Sequence, residues 1–243
     1  MYKKDVGYLC EPCEFVTLEL IEAIDKAREE YQVVGLGVAS DSFFEALNHR
    51  PPIKPYEERC RMASALKGVD YVFELTAENL LGIKEQELPL YVEDLTKKKY
   101  HVAYAPGTYD LFHEGHMQHL LEVRSLCDIL IAGVNSDKLV YENKRKKTEM
   151  PEEARMTILK NLKFVDYVYL VEENNKRTAN EWAKNQIGEP IDVIFLGSDL
   201  KGQDHDNPDE IPILFTERNP IIMAKRSSTY YREQLSKLKH DSW

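Results

Sequence analysis

Cysteine is scarce, with four in 243 residues, at Cys10, Cys13, Cys60 and Cys127. That is too few and too scattered for a disulfide framework or a four-cysteine zinc site. Cys10-Glu11-Pro12-Cys13 has the spacing of a redox pair or half a metal site, but no second ligand pair accompanies it, and incidental cysteines are the simpler reading. No apolar run approaches the roughly 20 residues that span a bilayer. Met1-Tyr2-Lys3-Lys4-Asp5 leads into no apolar segment of a secretory signal, so a cytoplasmic protein without stable membrane insertion is expected. Positive charge is also short: the net charge is -10, which argues against a nucleic-acid partner. Residues 1–97 carry 11 basic and 19 acidic residues and the remainder 21 and 23, so most of the acidity sits in the first part. What is there in quantity, 43% hydrophobic and 30% charged residues, is ordinary for a globular chain.

The chain repeats itself at an offset of 96 residues. Gly37-Val38-Ala39-Ser40-Asp41 matches Gly133-Val134-Asn135-Ser136-Asp137, and Val69-Asp70-Tyr71-Val72 matches Val165-Asp166-Tyr167-Val168. Pro55, Glu57 and Arg59 pair with Pro151, Glu153 and Arg155. Without a gap, Lys3 to Phe73 gives 17 identities in 71 pairs, where composition alone gives roughly four or five.

Each copy reads as strand, helix, strand, helix, strand. In the second, Tyr100–Ala105 and Ile129–Val134 have the apolar content of buried strands, Val165–Val171 is a third, and Gly115–Leu126 has helical spacing. A further helix near Thr178–Asn185, strands at Ile191–Leu196 and Ile211–Phe215, and a last helix from about Ser227 extend the second copy alone. The expected fold is α/β: two tandem Rossmann-like units with parallel sheets, the first truncated, divided near residue 97 into 1–97 and 98–243.

In such a sheet ligands bind beyond the carboxyl ends of the strands, where the informative residues fall. The first strand of the second copy runs into Pro106-Gly107-Thr108-Tyr109-Asp110-Leu111-Phe112-His113-Glu114-Gly115-His116 and then a helix. A glycine at the turn, free amides at a helix start and two histidines three residues apart suit a polyphosphate. Taken alone, His113 and His116 also read as metal ligands or surface histidines, but zinc would need a third protein ligand and none is evident.

Gly107 to His116 resembles the GxFDxxHxGH signature of the cytidylyltransferase-type nucleotidyltransferases, which include glycerol-3-phosphate, phosphocholine and phosphoethanolamine cytidylyltransferases and related adenylyltransferases. The resemblance covers residues 98–243, and the repeat extends it in weaker form to 3–75. Lys144-Arg145-Lys146-Lys147 resembles the family's basic stretch, though alone it would be a solvated face. Arg155 matches the arginine of its ExR segment, and Phe164 to Val168 its RYVDEV segment. Leu196-Gly197-Ser198-Asp199 resembles its GxD motif, and Ser227-Ser228-Thr229-Tyr230-Tyr231-Arg232 its SSTxxR, where an ordinary helix cap is the bland alternative. One stretch departs: Arg218 is followed by Asn219 to Arg226 before the serines, where cytidylyltransferases read RTEGIST, which leaves the base open.

The resemblance implies attack of a substrate phosphate on the α-phosphate of CTP, or of ATP, with release of pyrophosphate and with Mg²⁺ on the phosphate oxygens. It assigns His113 and His116 to the α-phosphate, Gly107, Thr108, Tyr109 and Gly115 to phosphate contacts at the turn, and Asp110 to ordering that turn. Lys144 or Lys147 goes to the acceptor phosphate, Asp199 to the nucleoside, and Ser228, Thr229 and Arg232 to the β- and γ-phosphates, with Ser227 also on the nucleotide. No protein side chain is assigned to the metal. The expected reaction is cytidylyl transfer to a phospho-alcohol, placing the protein in phospholipid biosynthesis; adenylyl transfer and a non-catalytic nucleotide-binding regulator are the alternatives. At the aligned positions the first copy has Glu11, Glu14, Thr17, Glu19 and Leu20, which repel or ignore a polyphosphate. It is expected to be a degenerate copy without turnover, forming an intrachain pseudo-dimer with the second; a further homo-oligomer is compatible with this.

Overall fold

The computed structural model describes residues 4–76, 98–216 and 228–240. The chain divides into two compact units, Met1–Val92 with Asn161–Lys163, and Glu93–Lys160 with Phe164–Trp243.

The first unit is a three-stranded parallel sheet in the order β1 (Lys4–Glu11), β2 (Tyr31–Ala39), β3 (Tyr71–Leu75). Its helices are α1 (Leu18–Glu30), α2 (Asp41–Asn48) and α3 (Tyr56–Ser64). α1 starts because the Thr17 hydroxyl accepts the Leu20 amide at 3.3 Å, and it buries Leu20, Ile21, Ile24 and Ala27 at helical spacing. Among the described residues nothing pairs with the outer edge of β1, so this sheet runs in one direction without a reversal of strand order.

The second unit is a five-stranded parallel sheet. Its strands are β4 (Tyr100–Gly107), β5 (Cys127–Asn135), β6 (Tyr167–Val171), β7 (Val193–Gly197) and β8 (Ile213–Thr216), in the order β6-β5-β4-β7-β8. The strand order reverses at β4, which pairs with β5 on one side and β7 on the other. This is the switch point at which open α/β sheets leave a crevice. α4 (Glu114–Leu126), α5 (Asp137–Lys144), α6 (Glu152–Lys160), α7 (Lys176–Gln186) and α8 (Ser228–His240) complete the unit. One layer of core joins Val102, Tyr104, Ile131, Ile194 and Leu196 from the sheet to Ala179 and Ala183 of α7. A Cβ at Gly133 would stand 2.5 Å from the Tyr104 hydroxyl, so the aromatic ring lies across β5 only because residue 133 has no side chain.

The α/β class and the parallel sheets expected from the sequence are what the structure contains. Strand and helix ranges agree with the expected ones to within a few residues at each end.

Candidate active site

The turn after β4 is tightly wound. Tyr109 and Leu111 have φ of +54° and +48°, the left-handed region that non-glycine residues rarely enter. Tyr109 is held there by burial and by its hydroxyl, which donates to the Ala105 carbonyl at 2.9 Å. Its ring occupies the space over Gly107, where a Cβ would meet it at 2.9 Å.

Asp110, 1% exposed, joins two loops and a helix. Its carboxylate accepts the amides of Glu149 and Met150, each at 3.0 Å, and forms an ion pair with Arg232 of α8. Its backbone carbonyl accepts the Ser228 hydroxyl at 2.8 Å. Asp110 ties its turn to the 148–151 loop and to the start of α8. Arg232 Nε is buried and has no hydrogen-bond partner among the described residues; the Glu149 carboxylate lies 3.8 Å away.

His113 caps α4. The Gly115 amide, which can only donate, reaches His113 Nδ1 at 3.1 Å, so the ring proton sits on Nε2. Nε2 stands 3.1 Å from Ser228 Oγ. Because the Ser228 hydroxyl gives its own hydrogen to Asp110, Nε2–H donates to its lone pair. A directed chain results: Gly115 N–H to His113, His113 to Ser228, Ser228 to the Asp110 carbonyl. His113 is therefore neutral in this arrangement. In this arrangement Nε2–H is the donor that the ring can offer to a ligand. His116 stacks on His113 with centroids 3.8 Å apart and an interplanar angle of 21°, and Tyr109 meets it edge-on at 5.3 Å. Tyr231, fully buried on α8, packs 5.6 Å from His113. Ser228, Tyr231 and Arg232 thus share one helix face by their i, i+3, i+4 spacing.

On the other side, Lys144 at the end of α5 donates from Nζ to Thr108 Oγ1 at 3.1 Å. Arg155 of α6, 0% exposed, donates to the backbone carbonyls of Thr108 and Met150 and to Asp137 Oδ1 at 2.6 Å. Asp137 also accepts from Thr148 Oγ1 at 2.9 Å and from the Glu152 amide at 3.3 Å. Burial alone would raise the Asp137 carboxyl, but the hydrogen bonds from Arg155 and Thr148 with the Arg155 charge outweigh it, and its pKa falls below the ordinary carboxylate value.

The structure therefore brings together Gly107, Thr108, Tyr109, Asp110, His113, Gly115, His116, Lys144, Ser228 and Arg232. Lys147 is exposed on the adjoining cleft with Asp137 and Thr148. Thr229 is exposed on α8, and Asp199 is exposed in a 3-10 turn after β7, across β4 from α5. Ser227 lies outside the described residues. Sequence motifs gave no role to Arg155, Asp137 or Tyr231. Arg155 was marked by its match to the ExR segment, and the recurrence of Ser40-Asp41 and Arg59 as Ser136-Asp137 and Arg155 was a further signal for it and for Asp137. In the first unit, burial raises the Cys10 and Cys13 thiols, and the nearby Glu11 charge adds to this, so neither offers the thiolate that redox or metal chemistry needs.

A family model described as cytidylyltransferase-like matches residues 104–234, the stretch that runs from β4 into α8 and contains every residue of this cluster. The chain belongs to the cytidylyltransferase-like family. Residues 104–234 are its nucleotidyltransferase-like domain. The chain is 35% identical over 120 residues to the bifunctional protein HldE of a Nitratiruptor species, covering 49% of this chain and 25% of that protein. To the bifunctional protein HldE of Actinobacillus pleuropneumoniae it is 28% identical over 198 residues, covering 74% and 40%. It thus spans well under half the length of these curated relatives. Among solved structures it is similar to the lipopolysaccharide core biosynthesis protein from Thermoplasma volcanium, at 27% identity and a TM-score of 0.41, over 49% of this chain and 96% of that one. Among the described residues no helix is long and apolar enough to cross a membrane.

Proposed function

We propose that the second unit transfers a nucleotidyl group from a nucleoside triphosphate to a phosphate-bearing acceptor. In its finer form the reaction takes CTP and a phospho-alcohol of the glycerol 3-phosphate, phosphocholine or phosphoethanolamine type. The observation that carries this reading is the stacked pair His113 and His116 at the amino end of α4, with Lys144 on one side and Ser228 and Arg232 on the other.

In this reading an acceptor phosphate oxygen attacks the α-phosphorus in line, one P–O bond forms, and the bond to the β-phosphate breaks to release pyrophosphate. No side chain need act as a nucleophile; the chain positions the reactants and stabilises charge as it develops. His113 Nε2–H turns from Ser228 to a phosphate oxygen and donates a hydrogen bond there. Positive charge comes from Lys144, Lys147, Arg232 and the α4 amides rather than from His113. The buried Arg232 Nε supplies a donor for which the described residues hold no acceptor, as a phosphate contact requires. Ser228 released from His113 becomes available to a phosphate oxygen, and Asp199, beyond β7, is left for the nucleoside.

The donor set fits Mg²⁺ carried on phosphate oxygens. The Asp110 and Asp137 carboxylates are engaged with arginines, so phosphate oxygens would be the ion's ligands. Bound there, the ion would neutralise charge on the phosphates.

Adenylyl transfer from ATP is the second reading. It draws support from the departure at Asn219 to Arg226 and from relatives that are named bifunctional protein HldE rather than phospho-alcohol cytidylyltransferases. One assay separates these readings from a non-catalytic nucleotide binder: pyrophosphate release with Mg²⁺, CTP or ATP, and a panel of phosphorylated acceptors. Release with one nucleotide and at least one acceptor is expected. Nucleotide binding without release from any combination would leave the binder.

A further inference from the structure

Val6 and Tyr8 of β1 recur at the offset of 96 as Val102 and Tyr104 of β4, and the two pairs are treated differently by the fold. Val102 and Tyr104 are 0% and 1% exposed, because β7 pairs with β4 on the side away from β5 and α7 packs over that face. Val6 and Tyr8 are 38% and 41% exposed. β1 has only β2 beside it, and among the described residues no amide or carbonyl on its other edge is paired. The Tyr8 ring is held on the open face by Phe73 at 5.8 Å and Tyr71 at 6.4 Å.

An open edge pairs with another strand unless charge or shape prevents it. In β1 the charges stand at the two ends, on Lys4, Asp5 and Glu11, and Val6-Gly7-Tyr8-Leu9-Cys10 between them carries none. This strand is also complementary to itself. A strand shows the amide and carbonyl of alternate residues to each edge, so two identical strands related by a twofold axis in an antiparallel pair must set one residue opposite itself. With Tyr8 on the axis, Asp5 faces Glu11 twice, and opposed like charges are unfavourable. With Val6 or Leu9 on the axis the pairing shortens to Lys4–Tyr8 or Gly7–Glu11. With Gly7 on the axis it runs from Lys4 to Cys10, opposes no like charges, and sets Val6 of each copy against Tyr8 of the other. An aromatic ring against a β-branched side chain is a favourable cross-strand pair, and it forms twice. Gly7 also keeps the axis clear of side chains; a Cβ there would meet the Tyr31 ring at 2.5 Å.

We propose that β1 is a dimerisation edge: two copies of this chain join their three-stranded first sheets into one continuous sheet, by antiparallel β1 pairing about Gly7 that covers Val6 and Tyr8. The dimer is weak and reversible. Pairing along one strand buries less than the roughly 1,200 Å² of a stable interface. Residues 1–97 carry 19 acidic against 11 basic residues, so the copies repel, and salt tightens the dimer by screening that repulsion.

The test is sedimentation velocity of the full chain across the micromolar range, for wild type, Val6→Lys, Tyr8→Glu and the double variant. Wild type should show a monomer–dimer equilibrium with Kd on the order of 10 µM, tightening about threefold between about 0.05 and 0.5 M salt. Each single substitution should raise Kd about tenfold or more, because a charge then faces an apolar side chain of the other copy. The double variant should recover most of that loss, because the introduced lysine of one copy then faces the introduced glutamate of the other, twice. Tyr8→Phe, which keeps the ring, should dimerise as wild type does, and thermal melts by circular dichroism should show all four variants folded, since both positions are exposed. A chain that stays monomeric throughout overturns the proposal, as does a dimer left intact by Val6→Lys or by Tyr8→Glu. So does a folded double variant that dimerises no more tightly than the single ones, because only the register about Gly7 opposes residues 6 and 8.

Discussion

The turn after β1 and the turn after β4 are held by matching bonds and carry different side chains. Arg59 and Arg155, both 0% exposed, make the same three kinds of bond at an offset of 96. Arg59 donates to the carbonyls of Pro12 and Lys54 and to Asp41; Arg155 donates to those of Thr108 and Met150 and to Asp137. Ser40 and Ser136 cap the next helix in each unit, and His49 and Arg145 end it with φ of +56° and +52°. Glu14 accepts the Ile53 amide as Asp110 accepts the Glu149 amide, but its arginine is Arg50 from the adjoining loop, whereas Asp110 takes Arg232 from α8. Thr17 and His113 both cap a helix with a side chain, and only His113 brings an imidazole. The frame that aims the turn is thus separable from the groups that would act on a phosphate. A buried arginine on two carbonyls keeps a turn in place whether or not the turn has work to do.

The widest difference should come from the two caps. His113→Ala is expected to lower kcat about 10²- to 10³-fold, the usual loss when a positioned donor to developing charge is removed. Thr17→Ala should cost about 1 kcal/mol of stability and leave kcat unchanged. Turnover and urea melts of the two variants check this, and equal losses of kcat would erase the distinction between the turns. The two arginines should behave alike in stability. Arg59→Met and Arg155→Met each strand two carbonyls, at a cost on the order of 3 kcal/mol. Of the two, Arg155→Met alone is expected to raise the nucleotide KM. Hydrogen exchange resolved by unit, beside initial rates, makes the comparison; a nucleotide KM raised by Arg59→Met would show that the first turn contributes to binding.

The smallest effect concerns pH. Asp137 has a depressed folded pKa, so its contribution is complete above the ordinary carboxylate value of about 3.9 and is lost as pH falls through the lower folded value. Its side chain is 43% exposed, which limits the contribution to a few tenths of a kcal/mol. Asp137→Asn should therefore flatten the acid limb of thermal stability slightly below about pH 4, and a limb of unchanged slope would assign it to other carboxylates.

Much of this was legible in the chain. Apolar runs marked β4, β5 and β7, helical spacing marked α4, and the GTYDLFHEGH string marked the site, because strand burial, amphipathicity and turn chemistry act over a few residues. The Arg155 bonds were not legible, since a guanidinium reaching a carbonyl 47 residues earlier leaves no local pattern. The protonation of His113 was hidden for a related reason: it follows from the direction of one backbone N–H, which the residue type does not fix.

α8 gives the site Ser228, Tyr231 and Arg232, while the rest of the cluster comes from residues 107–155. Every strand of the second sheet precedes α8 in the chain, so the last wall of the cluster is the last part of it to be synthesised. A chain clipped short of α8 would leave Asp110 without its guanidinium and the His113 ring without the buried Tyr231 beside it.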